Sequence, residues 1–245
     1  MIKIFIKRIL LSFNYRINKI NSDYINYPVQ NTNEGILINT IEKLQIDLLL
    51  DIGANNGDWA LEIRENGYAG KIYSFEPQSV PFKQLELLSS KDQKWHTFNY
   101  GLGNSNNEKI INISKNSVSS SILPMLKKHE KAEPNSVYRG KEKIKIRKLD
   151  SIHQSIITKN EKVFLKLDTQ GYEFDILKGS VEFMEKISGI QIEMSLKKLY
   201  KGELDFSEMK KFLNEIGFVL IHIHDGFKDK NTGELLQVDA LFQRE

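Results

Sequence analysis

The chain has 245 residues, 40% hydrophobic and 27% charged, which is enough to bury the core of one α/β domain. It contains no cysteine, so disulfides and thiolate metal sites are excluded. A formal net charge of +3 is too small to imply nucleic-acid binding, and no apolar run reaches the roughly 20 residues of a membrane-spanning helix.

Met1 to Ile20 mixes apolar residues with Lys3, Lys7, Arg8, Arg16 and Lys19 and holds no acid. Its composition fits a basic amphipathic helix on an anionic membrane surface, or a helix packed on the domain or on a second copy in a homo-oligomer. The packed helix is preferred. No small-residue cleavage site follows, which argues against a secretory signal and for a cytoplasmic protein, at most peripheral to the membrane. Ser22 to Gln30 is polar, ends near Pro28 and reads as a linker. Residues 1–34 therefore form a leading segment, and 35–245 the main domain.

Gly35 to Leu44 fits a short helix. Leu48, Leu49, Leu50 and Ile52 then form an apolar run too short for a surface helix, as expected of a strand buried on both faces. Asp51 lies at its end. Gly53, Ala54, Asn55, Asn56 and Gly57 make a turn, and a helix follows from Asp58 to about Asn66. Ile72 to Phe75 is a second strand, ending at Glu76 and Pro77. Ligands on open α/β sheets bind where strand tips turn into helices. Gly53 and Gly57 allow close approach of a ligand, and Asn55 tolerates left-handed angles. Glu76 is spaced to accept hydrogen bonds from a ribose diol. A dinucleotide site needs the full G-x-G-x-x-G for pyrophosphate, and this turn lacks it. Asp51 would oppose phosphate and suit a cationic ligand, which favours S-adenosylmethionine over NAD. Asp51 and Glu76 are expected to face one cavity.

Ser79 to Leu88 is a helix and Trp95 to Tyr100 a strand. It runs into Gly101, Leu102 and Gly103, which are expected beside the cofactor's base. From residue 104 to 147 the pattern loosens into an insertion or lid with strands at Lys109 to Ser114 and Lys141 to Lys148. Ser119 and Ser120 in its serine-rich loop can hydrogen-bond a polar acceptor. The basic face of Lys143, Lys145 and Arg147 reads as solvated. Asp150 or Ser151 is expected to cap a helix. Val163 to Leu167 repeats the first pattern, with Asp168 at a strand tip before the turn of Thr169, Gln170 and Gly171. The helix from Tyr172 to Lys178 carries Glu173. Ile190 to Met194 is a strand with Glu193. A helix from Asp205 or Ser207 leads to strands at Phe218 to His224 and Leu235 to Phe242, an antiparallel closing hairpin. His222 and His224 share one face. A metal site there lacks a clear further ligand, so no metal is expected.

These residues resemble the FkbM family of S-adenosylmethionine-dependent methyltransferases. The matching pieces are DIGANNG (51–57), SFEP (74–77), KLDSI (148–152), FLKLDTQGYEFDILKG (164–179) and IEM (192–194). They run in family order from about residue 35, and LDTQGYE is the most specific of them. Many relatives carry valine and glutamate where this chain has Thr169 and Gln170. The resemblance implies a Rossmann-like, mostly parallel seven-stranded sheet with a C-terminal antiparallel hairpin and helices on both faces. It also implies methyl transfer to oxygen, often on a sugar. The 51–57 turn and Glu76, with Pro77, Leu102 and Gly103, would hold the cofactor. Asp168 is the expected base or a ligand of the donor's ammonium group, or else caps the following helix. Glu193 is the reserve base, and Ser119, Ser120, Gln170, Glu173 and His224 are expected near the acceptor, a sugar, glycan or glycolipid hydroxyl. An NAD-dependent oxidoreductase and a non-catalytic binding module are the alternatives.

Overall fold

The computed structural model describes residues 15–20, 23–28, 32–157 and 161–245, with side chains from residue 32 onward. Most of the basic leading segment lies outside these residues. Within it, β1 (Tyr15–Ile20) pairs antiparallel with β2 (Asp23–Pro28). The helix expected over residues 1–20 therefore does not continue through Tyr15–Ile20, and the expected linker carries a strand. Both stretches are rich in tyrosine and isoleucine, which favour extended backbone.

The main sheet has seven strands in the order β11-β12-β10-β9-β3-β4-β5. Its strands are β3 (Leu48–Ile52), β4 (Lys71–Phe75), β5 (Trp95–Phe98), β9 (Val163–Leu167), β10 (Ile187–Ser195), β11 (Phe218–Asp225) and β12 (Gln237–Arg244). The strands from β5 across to β10 pair in parallel, and β12 runs antiparallel between β10 and β11. All five residues of β3 and of β9 are buried. Leu48, Leu50, Leu165 and Leu167 pack on one face; Leu49 and Phe164 pack on the other. That two-sided burial explains their unbroken apolar runs.

Helices cover both faces. α1 (Asn33–Lys43), α2 (Asp58–Glu65) and α3 (Ser79–Ser89) place Leu37, Ile41, Ile63 and Leu85 against Leu49 and Phe164. α5 (Leu149–Ile156), α6 (Glu173–Lys178) and α7 (Phe206–Glu215) place Leu149, Ile176 and Leu213 on the opposite face. Asp205 closes a capping box with Glu208 at the start of α7. At α5 the expected cap is absent. Lys148 occupies the cap position, and Asp150 instead accepts the Phe183 N–H at 3.0 Å. Among the described residues no helix is long and apolar enough to cross a membrane.

The chain leaves β3 outward to β4 and β5, then returns to β9 on the other side. The crevice between the tips of β3 and β9 is thus the switch point of the sheet. The return passes through a second sheet, β6-β8-β7, built from β6 (Gly101–Leu102), β7 (Asn107–Ser114) and β8 (Tyr138–Arg147), with the short helix α4 (Lys127–Ala132) between β7 and β8. Ile111, Ile144 and Ile146 are its core. The two strands expected in this stretch are present and longer than expected, paired as the β7–β8 hairpin, and the hairpin hangs over the switch point.

Candidate active site

At the tip of β3, Gly53 has φ +80°, and a Cβ there would sit 1.8 Å from the carbonyl oxygen of Asp168. Gly53 is thus required by the close approach of the Asp168 carbonyl that follows β9. Asn55 has φ +48° and donates its N–H to Glu76 Oε2 at 2.9 Å. Glu76 Oε1 accepts the Gln78 N–H at 2.7 Å. Glu76 is buried, and that burial pushes its carboxyl up to about 7 despite the two N–H donors.

Glu76 opens onto a cavity at the switch point that encloses about 660 Å³ counted out to solvent. Gly53, Asn55, Pro77 and Leu102 also line it, as do Asp168, Gln170 and Ser120. Phe75, Leu102, Ile111, Ile122 and Ile146 give it an apolar side. The last three isoleucines come from the insertion and were not singled out in the sequence; the alternation of Ile144 and Ile146 with lysines was the available signal. The Tyr172 hydroxyl, from a residue lining the same cavity, is buried without a hydrogen-bond partner.

Several expected cofactor residues do not reach this wall. Asp51 is fully buried beneath it. Its Oδ2 accepts from Ser74 at 3.0 Å, and its Oδ1 lies 3.2 Å from Lys166 Nζ. The expectation that Asp51 and Glu76 share a cavity is therefore corrected: Asp51 acts through Lys166, and their charges offset each other. Ala54 and Asn56 do not line the cavity. Gly57 is the N-terminal cap of α2, where an added Cβ would press on Leu85 and Trp95. Gly103 packs under Ile146 and Tyr172.

Asp168 stands at the tip of β9, with a side chain 43% exposed. Its Oδ1 accepts from Gln170 Nε2 at 3.1 Å, and its Oδ2 lies 3.7 Å from Lys166 Nζ. It caps no helix. Tyr172 holds the cap position of α6, and Glu173 takes the N–H groups of Thr169 and Gly171. Glu173 is thus buried inside its own turn and does not face an acceptor. Lys166 is itself buried and donates to the Gly53 carbonyl at 3.2 Å, so it ties the two strand tips together.

Asp168 also belongs to a second cavity of about 590 Å³ on the same measure, which it shares with Gln170, Glu193, Gln237, Asn116, Ser119 and His129. Gln170 has φ +57° and bridges the acids. Its Nε2 donates to Asp168 and, at 2.8 Å, to Glu193 Oε2, while its Oε1 accepts from Tyr200 at 2.7 Å. Gln237 also donates to Glu193 Oε2 at 2.9 Å. Burial, reinforced by the negative charges of Asp168 and Asp239, holds the Glu193 carboxyl well above the carboxylate range. Two amide donors already hold Glu193 Oε2, which makes it a weaker candidate for the reserve base role than the more exposed Asp168. Burial pushes His129 down to about 4, so its ring is neutral; it packs edge-on against Tyr200. His129 was not singled out in the sequence, because nothing around Lys127–Ala132 marks it there.

His224 lies elsewhere, in a cleft with His222, Asp239, Trp59 and Lys166 that reaches Asp168 from the other side. His222 meets Asn33 Oδ1 at 3.1 Å, and His224 lies 3.7 Å from Asp239. Among the described residues no group of three or more His, Cys, Asp or Glu side chains is placed to hold a metal ion.

The sequence of residues 51–220, more than half of the chain, matches the methyltransferase FkbM domain. The chain belongs to the FkbM methyltransferase family. S-adenosylmethionine is accordingly its cofactor, and the NAD alternative falls away. The cavity suits that donor: Glu76 offers a carboxyl for a ribose diol, the insertion isoleucines offer an apolar slot, and Tyr172 has an unpaired hydroxyl. No curated protein matches the chain. Solved structures with a similar fold include magnesium protoporphyrin IX methyltransferase from Synechocystis PCC 6803 with bound SAM, at 8% identity, covering 86% of this chain and 76% of that one, TM-score 0.47. TehB from Haemophilus influenzae is similar at 10% identity, covering 91% and 69%, TM-score 0.49. So is 1,6-didemethyltoxoflavin-N1-methyltransferase from Burkholderia thailandensis, at 9% identity, covering 88% and 78%, TM-score 0.47.

Proposed function

We propose that this methyltransferase acts on oxygen, methylating a hydroxyl of a sugar or of a glycan or glycolipid precursor at the cytoplasmic side of the cell. The observation that carries this reading is the second cavity. Its lining of Asn116, Ser119, Gln170 and Gln237, with a neutral His129, offers uncharged donors and acceptors suited to a polyhydroxylated ligand.

When bound, S-adenosylmethionine supplies a methyl group activated by its positive sulfur. The protein's own share is alignment and proton removal. Glu76 and the Asn55 turn fix the ribose end. Asp168 spans both cavities and accepts the hydroxyl proton as the acceptor oxygen is alkylated. Alignment alone supplies roughly 7–11 kcal/mol, and a positioned base about 10²–10⁴-fold. Gln170 holds Asp168 through Oδ1, and Oδ2, 3.7 Å from Lys166 Nζ, is the oxygen assigned this task.

Incubation with methyl-labelled S-adenosylmethionine and a panel of methyl hexopyranosides and lipid-linked sugars tests the reading. Label in a methyl ether supports it. Transfer only to nitrogen or to carboxyl esters would refute it.

A further inference from the structure

The β7–β8 hairpin has two faces with different chemistry. Its inner face supplies Ile111 and Ile146 to the donor cavity. Its outer face has no task there. Side chains alternate along a strand, so Lys141, Lys143, Lys145 and Arg147 of β8 share that outer face. They form a row spanning roughly 20 Å. Lys141, Lys143 and Lys145 are exposed. Opposite them on β7 stand Asn112, Ile110 and Glu108. Glu108 is the one acid of the two strands on this face, and it pairs with Lys143 at 2.5 Å. Four cations against one acid leave three positive charges, which equals the formal net charge of the entire chain. Together with the five cations of Met1 to Ile20, this face is a second concentration of positive charge, and the rest of the chain is net acidic.

We propose that this outer face is a contact surface for an anionic lipid bilayer. A flat row of lysines suits a plane of anionic headgroups, each cation near the surface adding to the attraction. Ile110, 48% exposed beside Lys143, offers an apolar contact at the headgroup boundary. None of these facing residues is aromatic, so the base-stacking platform of single-stranded nucleic-acid binders is missing from the face. The Met1 to Ile20 stretch, with its cations, apolar residues and no acid, has the same chemical preference. The proposal stands apart from the acceptor assignment, because the face lies outside both cavities.

Co-sedimentation of the full chain with phosphatidylcholine vesicles, with and without phosphatidylglycerol, tests it. Binding to the anionic vesicles alone is expected, with release as salt approaches about 1 M, where screening acts within about 3 Å. Lys141→Glu with Lys145→Glu should weaken partition at least about tenfold. Lys197→Glu with Lys211→Glu makes the same charge change on other exposed surfaces and should leave partition near that of the natural chain. Unchanged S-adenosylmethionine binding in both variants shows that they fold. The proposal is overturned if both double variants lose binding equally, if neither does, or if neutral vesicles bind as well. Tighter, stripe-dependent binding to duplex RNA than to the vesicles would overturn it too.

Discussion

Glu76 is held by two backbone N–H groups at 2.9 and 2.7 Å and titrates near 7. Its ionised form accepts more hydrogen bonds from a ribose diol than its protonated form. S-adenosylmethionine should therefore bind about tenfold more tightly at about pH 8 than at about pH 6, and calorimetry of Glu76→Gln should find that dependence gone. The variant should also bind about tenfold to a hundredfold more weakly, as for loss of a charge-assisted hydrogen bond. Asp168→Asn should keep donor binding within a few-fold and cut turnover by about 10²–10⁴-fold, whereas Glu193→Gln should cost less, because Gln170 and Gln237 already occupy that carboxyl. Single-turnover kinetics distinguishes the two. Lys166→Met would leave Asp51 buried without its cation, and a loss of about 3–5 kcal/mol in urea denaturation is expected, partly restored by Asp51→Asn. The role of Lys166 was hidden in the sequence. A lone lysine in an apolar strand does not announce which acids it will lie between.

Among the elements, the two strand–turn pairs were plain in the letters because each joins an unbroken apolar run to a glycine turn. Why Gly53 must be glycine was not, since the cause is a carbonyl more than a hundred residues away on β9. Gly53→Ala should cost at least about 1–2 kcal/mol from backbone strain, with the clash against Asp168 in addition, measurable as a lowered urea midpoint. The insertion was legible as extra strands but not as part of the donor cavity. Ile111 and Ile146 reach the switch point only through the pairing of β6 with β8, a tertiary fact that alternation along one strand does not carry. The strand at Tyr15–Ile20 lay under a helical reading because charges interleave its apolar residues at a spacing that fits either period.

For the whole molecule, the buried carboxyls set the response to pH. Glu76 and Glu173 are both pushed up to about 7 by burial, against an ordinary value of 4.5. The folded chain therefore binds more protons than the unfolded chain between those values. Their contribution to stability is full below 4.5 and is lost as pH rises through about 7. Urea unfolding of the ligand-free protein should show that these two groups lower its stability across that window, and Glu173→Gln should flatten the slope. The positions of strands and helices followed from apolar periodicity and the layout of the sheet from the family resemblance; the arrangement of acids around Asp168 did not, because it brings Asp51, Glu193 and Asp239 together from β3, β10 and β12.

The most direct test of the account is a crystal structure of the protein with S-adenosylhomocysteine. The ribose hydroxyls should meet the Glu76 carboxyl and the sulfur should lie beside Asp168, at the junction of the two cavities. A nucleoside bound away from Glu76, or a sulfur directed away from Asp168, would contradict it.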